Sequence, residues 1–182
     1  RIYCFDISDS TSPSLVWMLD LSSPNDIYVK GNYLYVADGY DGIRIFDITN
    51  PSKPDTKGVW NTPGYAEGIF IKDTFAFVAD GNCGLRILNV ADTDTPFEIT
   101  GIDFSGDAIN VIVSGNYAFC GCNDGFRVID ISDPASPSIV KTILLPDYVE
   151  ELYIYNNKLF IANRSYGLRI YDISSPSAPI EI

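Results

Sequence analysis

Apolar residues in this chain fall in short runs, and the residues between them are turn formers. Tyr33-Leu34-Tyr35-Val36-Ala37 is aromatic and β-branched and stops at Asp38-Gly39. Ile43-Arg44-Ile45-Phe46-Asp47-Ile48 follows Gly42 and stops at Asn50-Pro51. No window holds a useful length of the i, i+3, i+4 spacing of an amphipathic helix. Strand-like runs at roughly 26–30, 33–38, 43–48 and 55–60 are separated by Gly-Asn, Asp-Gly and Asn-Pro turns. The pattern predicts an all-β chain of hairpins.

The same pattern then repeats. Gly42-Ile43-Arg44-Ile45-Phe46-Asp47-Ile48 returns as Gly84-Leu85-Arg86-Ile87-Leu88-Asn89-Val90. It returns again as Gly125-Phe126-Arg127-Val128-Ile129-Asp130-Ile131 and as Gly167-Leu168-Arg169-Ile170-Tyr171-Asp172-Ile173. A partial copy, Ile2-Tyr3-Cys4-Phe5-Asp6-Ile7, opens the chain. Positions 6, 47, 89, 130 and 172 are 41 or 42 residues apart, and Pro13, Pro54, Pro96, Pro137 and Pro179 keep the step. Four antiparallel strands per step of this length is the period of a β-propeller blade. The chain is read as about four and a half blades: a half blade at 1–19, then blades at 20–60, 61–102, 103–144 and 145–182. Faces packed on both sides explain apolar residues at both strand parities. The expected blade cores include Tyr35, Val36, Ile45, Phe46, Phe77, Val78, Ile87, Phe119, Val128, Ile161 and Ile170. Three readings follow from the half blade: a piece of a larger ring, self-association through open strand edges, or a four-blade closure with a hairpin over one edge.

These strings resemble the LVIVD-repeat family. Tyr35-Val36-Ala37-Asp38-Gly39 and Phe77-Val78-Ala79-Asp80-Gly81 match its strand and turn, and Asp130-Ile131-Ser132-Asp133-Pro134 with Pro137 matches the turn that follows. The sequence departs from it at the third-strand arginines, at Cys122-Asn123 and at Arg164. The resemblance implies a β-propeller module of a secreted or cell-surface protein of bacteria or archaea, and it transfers no catalytic residue. The localisation it implies is therefore extracellular or at the cell surface.

Composition narrows the function further. The 182 residues carry a net charge of -12 and no histidine. Nucleic acid and anionic lipid surfaces both call for clustered Lys and Arg, so neither is expected as a partner. Ser-His-Asp, Cys-His and His-ligated metal chemistry are excluded. No apolar run reaches the ~20 residues of a membrane-spanning helix, so membrane insertion is not expected either.

Propeller geometry puts the second-to-third-strand loops and the loops between blades on one face. That face is acidic and aromatic. Its candidate ligand contacts are Asp38, Tyr40, Asp41, Tyr65, Glu67, Asp80, Asp124, Tyr148, Glu151 and Tyr166, suited to a protein or glycan ligand. The Asp38–Gly42 loop offers oxygens to Ca²⁺, but Asp-Gly recurs because the turn recurs, and no metal or cofactor is expected. Arg44, Arg86, Arg127 and Arg169 share one slot. Each is expected to pair with a nearby acid such as Asp38 or Asp80 rather than to form an anion ring. Cys4 and Cys120 occupy apolar strand positions and are read as buried thiols. Cys83 and Cys122 lie at equivalent turns of adjacent blades, either bridged by a disulfide or as separate thiols. The favoured function is a non-catalytic binding or scaffold module. The alternatives are a structural subunit that assembles through its open edges, and an enzyme at the channel mouth using Asp, Glu and Tyr.

Overall fold

The computed structural model describes all 182 residues, and they form a row of antiparallel sheets. A two-strand sheet comes first, β1 (Ile2–Asp6) with β2 (Ser14–Leu19). Four four-strand meanders follow. The first is β3 (Asp26–Lys30), β4 (Tyr33–Ala37), β5 (Ile43–Asp47) and β6 (Asp55–Trp60). The second is β7 (Gly68–Lys72), β8 (Phe75–Ala79), β9 (Leu85–Asn89) and β10 (Phe97–Ile102). The third is β11 (Ala108–Ser114), β12 (Tyr117–Cys122), β13 (Gly125–Asp130) and β14 (Ser138–Leu144). The fourth is β15 (Glu151–Tyr155), β16 (Lys158–Ala162), β17 (Leu168–Asp172) and β18 (Ile180–Glu181). A single 3-10 turn spans Arg164–Tyr166, and no helix is long and apolar enough to cross a membrane.

Local chemistry sets each hairpin. Gly31 and Gly115 supply the positive φ at the first turn, Asp73 fills that slot at φ 51°, and Asn156 and Asn157 fill it in the last blade. The anchor acid closing each third strand accepts the N–H of the residue two positions on. Asp6, Asp47, Asp130 and Asp172 do so at 2.8 Å, and Asn89 does so at 2.9 Å. The repeated Asp is therefore an Asx turn that stops the strand before the proline segment.

The core is made between sheets. Tyr35, Ala37, Ile43 and Ile45 of one blade cluster with Ile69, Ile71, Ala76 and Val78 of the next. Equivalent clusters join the second blade to the third, and the third to the fourth. The half blade covers only the outer part of the first full blade, so Leu34, Val36 and Phe46 form a smaller cluster with Ile2, Trp17 and Leu19 around them. Of the expected core, Tyr35, Val36, Ile45, Phe46, Phe77, Val78, Ile87, Phe119, Val128 and Ile161 are buried. Two expectations are corrected. Ile170 and Cys4 are half-buried, because no sheet lies over the last blade and the half blade covers little.

The inner strands β3, β7, β11 and β15 surround a narrow channel with a cavity of about 150 Å³. The loops at one end of that channel form the mouth.

Candidate functional site

The mouth has a rigid floor. The second-to-third-strand loop of one blade bridges to the loop leading into the next. Gly39 and Ala66 exchange backbone hydrogen bonds at 3.2 and 3.0 Å, and Gly81 and Ala108 do so at 3.1 and 2.8 Å. Gly39 has φ 58°, and a Cβ there would strike the Tyr65 ring at 2.8 Å. Glycine is needed for the turn and also seats the tyrosine.

Asp38 and Asp80 lie beneath this floor rather than on it. Asp38 is fully buried and accepts the Ser23 N–H at 2.7 Å and Arg44 Nε at 2.8 Å. Asp80 is also buried. It accepts the Thr62 hydroxyl at 2.5 Å and the Gly64 N–H at 2.8 Å, and Arg86 stands 3.8 Å away. Burial raises the Asp80 carboxyl, against those hydrogen bonds and Arg86. Asn163 plays the same part in the last blade, donating to the Asp147 and Tyr148 carbonyls and accepting Arg169 Nε at 3.1 Å. In the third blade this slot holds Cys122, and Arg127 turns to Asp124 instead, at 2.6 and 2.8 Å. Each repeated arginine thus ties its sheet to a mouth loop, and all four are committed within the protein. Asp41 is likewise held, by the Ser22 hydroxyl and by Arg44, and both lower its carboxyl.

Of the two alternatives left open for Cys83 and Cys122, the structure has separate thiols. All four thiols are free, and no Cys83–Cys122 bond exists. Cys122 points into the core between blades, while Cys83 sits half-buried at a turn. Their side chains serve different surroundings.

What remains at the mouth is a cavity of about 550 Å³ lined by Tyr40, Pro63, Gly64, Tyr65, Glu67, Gly81, Asn82 and Asp107. Tyr40 and Tyr65 meet edge to face, with centroids 4.7 Å apart. The Tyr65 hydroxyl lies 2.5 Å from that of Ser23, which fixes the ring. Burial, and then the neighbouring Asp107 charge, push the Glu67 carboxyl above its ordinary range. The lining holds two carboxylates, two tyrosines and no Lys or Arg.

The other candidates fall elsewhere. Asp124 is spent on Arg127. Tyr148 carries the Arg164 guanidinium 4.2 Å above its ring, and Glu150 pairs with the same arginine at 2.5 Å. Tyr166 is exposed on the neighbouring 3-10 turn. Glu151 faces the channel, where it accepts Asn110 Nδ2 at 3.0 Å. Across that channel Asp26 accepts the Ile69 N–H, and its carboxyl is raised by burial and by Glu151. Asn82, at the cavity wall, and Arg164, stacked on Tyr148, are mouth residues that sequence reasoning missed. Both sit where the repeat is broken, and that break is the signal that marks them.

Comparison with known proteins places the fold. A protein of unknown function from Desulfotomaculum acetoxidans DSM 771 is similar over 96% of this chain and 60% of its own, with TM-score 0.77 and 14% identity. The computationally designed Ika4 protein matches over 84% of this chain and 92% of its own, with TM-score 0.67 and 12% identity. The designed Ika8 protein matches over 85% and 46%, with TM-score 0.68 and 8% identity, so this chain spans under half of its length. No curated protein matches the sequence. The LVIVD repeat model matches residues 23–62, 63–100, 105–144 and 147–182. With four consecutive matches laid over four consecutive blades, the chain belongs to the LVIVD-repeat family.

Proposed function

We propose that this β-propeller module is a non-catalytic binding unit whose mouth takes a cationic side chain from a protein partner. The supporting observation is a comparison within the molecule. At the last blade, Tyr148 and Glu150 hold Arg164 between ring and carboxylate. At the middle of the mouth, Tyr40, Tyr65, Glu67 and Asp107 present the same acceptor groups around a cavity with no cation of its own. A guanidinium or ammonium group entering there gains a charge-assisted hydrogen bond and an aromatic face together. The floor is pre-formed by the inter-loop bridges, so little ordering is needed on binding.

A binding role fits the chemistry better than catalysis. The two carboxyls that burial raises around open space, Glu67 and Asp26, sit in different cavities and do not form one reacting pair. No metal or cofactor enters this reading. We place the module outside the cell or on its surface, a position that rests on the family resemblance alone now that the cysteines are unpaired.

The test is a chemical-shift titration with an arginine- and lysine-rich peptide. Shifts should centre on residues 40, 63–67, 81–82 and 107 and vanish in Glu67→Gln and Tyr65→Ala. Equal shifts with a neutral oligosaccharide would replace the cationic partner by a glycan. Shifts outside the mouth would remove the site.

A further inference from the structure

The repeat lets one position at the mouth be compared with its equivalent in another blade. The Glu67 N–H donates to the Ala79 carbonyl at 2.8 Å, and the Glu150 N–H donates to the Ala162 carbonyl at 2.9 Å. The Asp80 N–H donates to the Gly84 carbonyl at 2.8 Å, and the Asn163 N–H donates to the Gly167 carbonyl at the same distance. These bonds set the register. Tyr65 corresponds to Tyr148, Glu67 to Glu150 and Gly81 to Arg164. The Tyr-x-Glu string occurs in the second and fourth blades alone. Ser23-Pro24-Asn25 and Asp107-Ala108-Ile109 stand in its place in the first and third.

In the fourth blade Arg164 occupies the space between the tyrosine and the glutamate. Its guanidinium carbon stands 4.2 Å over the Tyr148 ring, and its Nε donates to Glu150 at 2.5 Å. In the second blade the same pair flanks a glycine, and the cavity of about 550 Å³ opens beside it. The turn is left-handed at both positions, with φ 31° at Arg164 and 56° at Gly81. A Cβ on Gly81 would find nothing nearer than the Tyr65 carbonyl oxygen at 3.3 Å. Gly81 brings no side chain to this space, yet the partners of that side chain are in place. The raised Glu67 carboxyl agrees, since no cation of the chain offsets its burial and the Asp107 charge.

We propose that the mouth is selective for arginine: the guanidinium of a partner protein takes from outside the place that Arg164 fills within the chain. This rests on the mouth binding a cationic side chain, and it names which one. The planar guanidinium lies on the Tyr65 ring while its N–H groups donate to Glu67, and Asp107 in the same lining offers a second acceptor. An ammonium is a compact, strongly hydrated point charge and does not combine the flat contact with the forked hydrogen bonds.

Titration calorimetry of the 182-residue chain with two peptides tests this. One peptide alternates arginine and glycine, and the other has lysine at every arginine. Their charges match, so general attraction to a chain of net charge -12 is common to both. The arginine peptide should bind about tenfold more tightly. Gly81→Arg supplies the side chain from within and should bring the arginine peptide down to the affinity of the lysine peptide. Ser136→Arg adds the same charge between β13 and β14, at the end of the blade away from the mouth, and should keep the preference. Equal affinities for the two peptides in the unsubstituted protein overturn this proposal and leave the cationic reading standing. An arginine preference that Gly81→Arg leaves intact, with the fold retained by circular dichroism, overturns it as well. Binding of neither peptide overturns both. The comparison of peptides needs no substitution, so it decides even where Gly81→Arg does not fold.

Discussion

The most informative residue is Asp38, because it was a candidate ligand and is instead a brace. Its carboxylate is buried and joins Ser23 of the incoming loop to Arg44 of the third strand. Asp38→Ala leaves the Ser23 N–H without its acceptor and takes one of the two carboxylates of Arg44, which keeps Asp41, and should cost about 2 kcal/mol in a urea melt, in the range for an unsatisfied buried donor. Asp38→Asn should cost much less, because Asn163 already does the same work in the last blade. Glu67 is the contrasting case, a carboxylate with open space in front of it. Burial and Asp107 hold its pKa above the ordinary range, so it takes up a proton earlier as the solution is acidified. Affinity for a cationic peptide should therefore be full at neutral pH and fall as pH drops through that raised value, at a higher pH than an ordinary glutamate would give. Titration calorimetry across pH checks this, and Glu67→Gln should bind weakly with no such step.

At the scale of the element, the third strand depends on the glycine before it. Gly42, Gly84 and Gly125 have positive φ, and a Cβ on each would meet a carbonyl oxygen of the fourth strand, from Trp60, Ile102 and Ile143 respectively. Gly167 has φ 74° but open space around it, because β18 is only two residues long. Gly167→Ala should cost about 1 kcal/mol for the backbone alone. Gly42→Ala should cost clearly more, since backbone has to move as well, and thermal unfolding of the two variants separates these terms. The blade was legible because its signals are local. Strand alternation, turn glycines and Asx-turn aspartates each act within a few residues, and the 41- or 42-residue step repeats them in register. The role of Asp38 was harder to see, because an Asp-Gly turn reads alike whether its carboxylate faces water or an arginine beneath. Cys83 and Cys122 were ambiguous for a similar reason. Lying at the same turn of adjacent blades does not fix the side-chain directions that a disulfide needs, and Cys122 takes the Asp80 slot while Cys83 takes that of Asp41.

For the whole molecule, the proposed binding role rests on how the repeated blades differ at the mouth. Four arginines are paired internally, so the regular part of the repeat supplies the frame and the departures supply the chemistry. Tyr40, Glu67, Asn82 and Asp107 come from three successive blades, and only the fold brings them round one cavity. Their convergence was beyond the sequence pattern, although the acidic and aromatic character of the face was not. The measurement that tests this account most directly is the titration of the protein with an arginine- and lysine-rich peptide, followed by backbone chemical shifts. The account predicts saturable shifts at residues 40, 63–67, 81–82 and 107, abolished by Glu67→Gln while the Asp38→Asn variant still binds. Saturable binding that survives Glu67→Gln, or that maps away from the mouth, would contradict it.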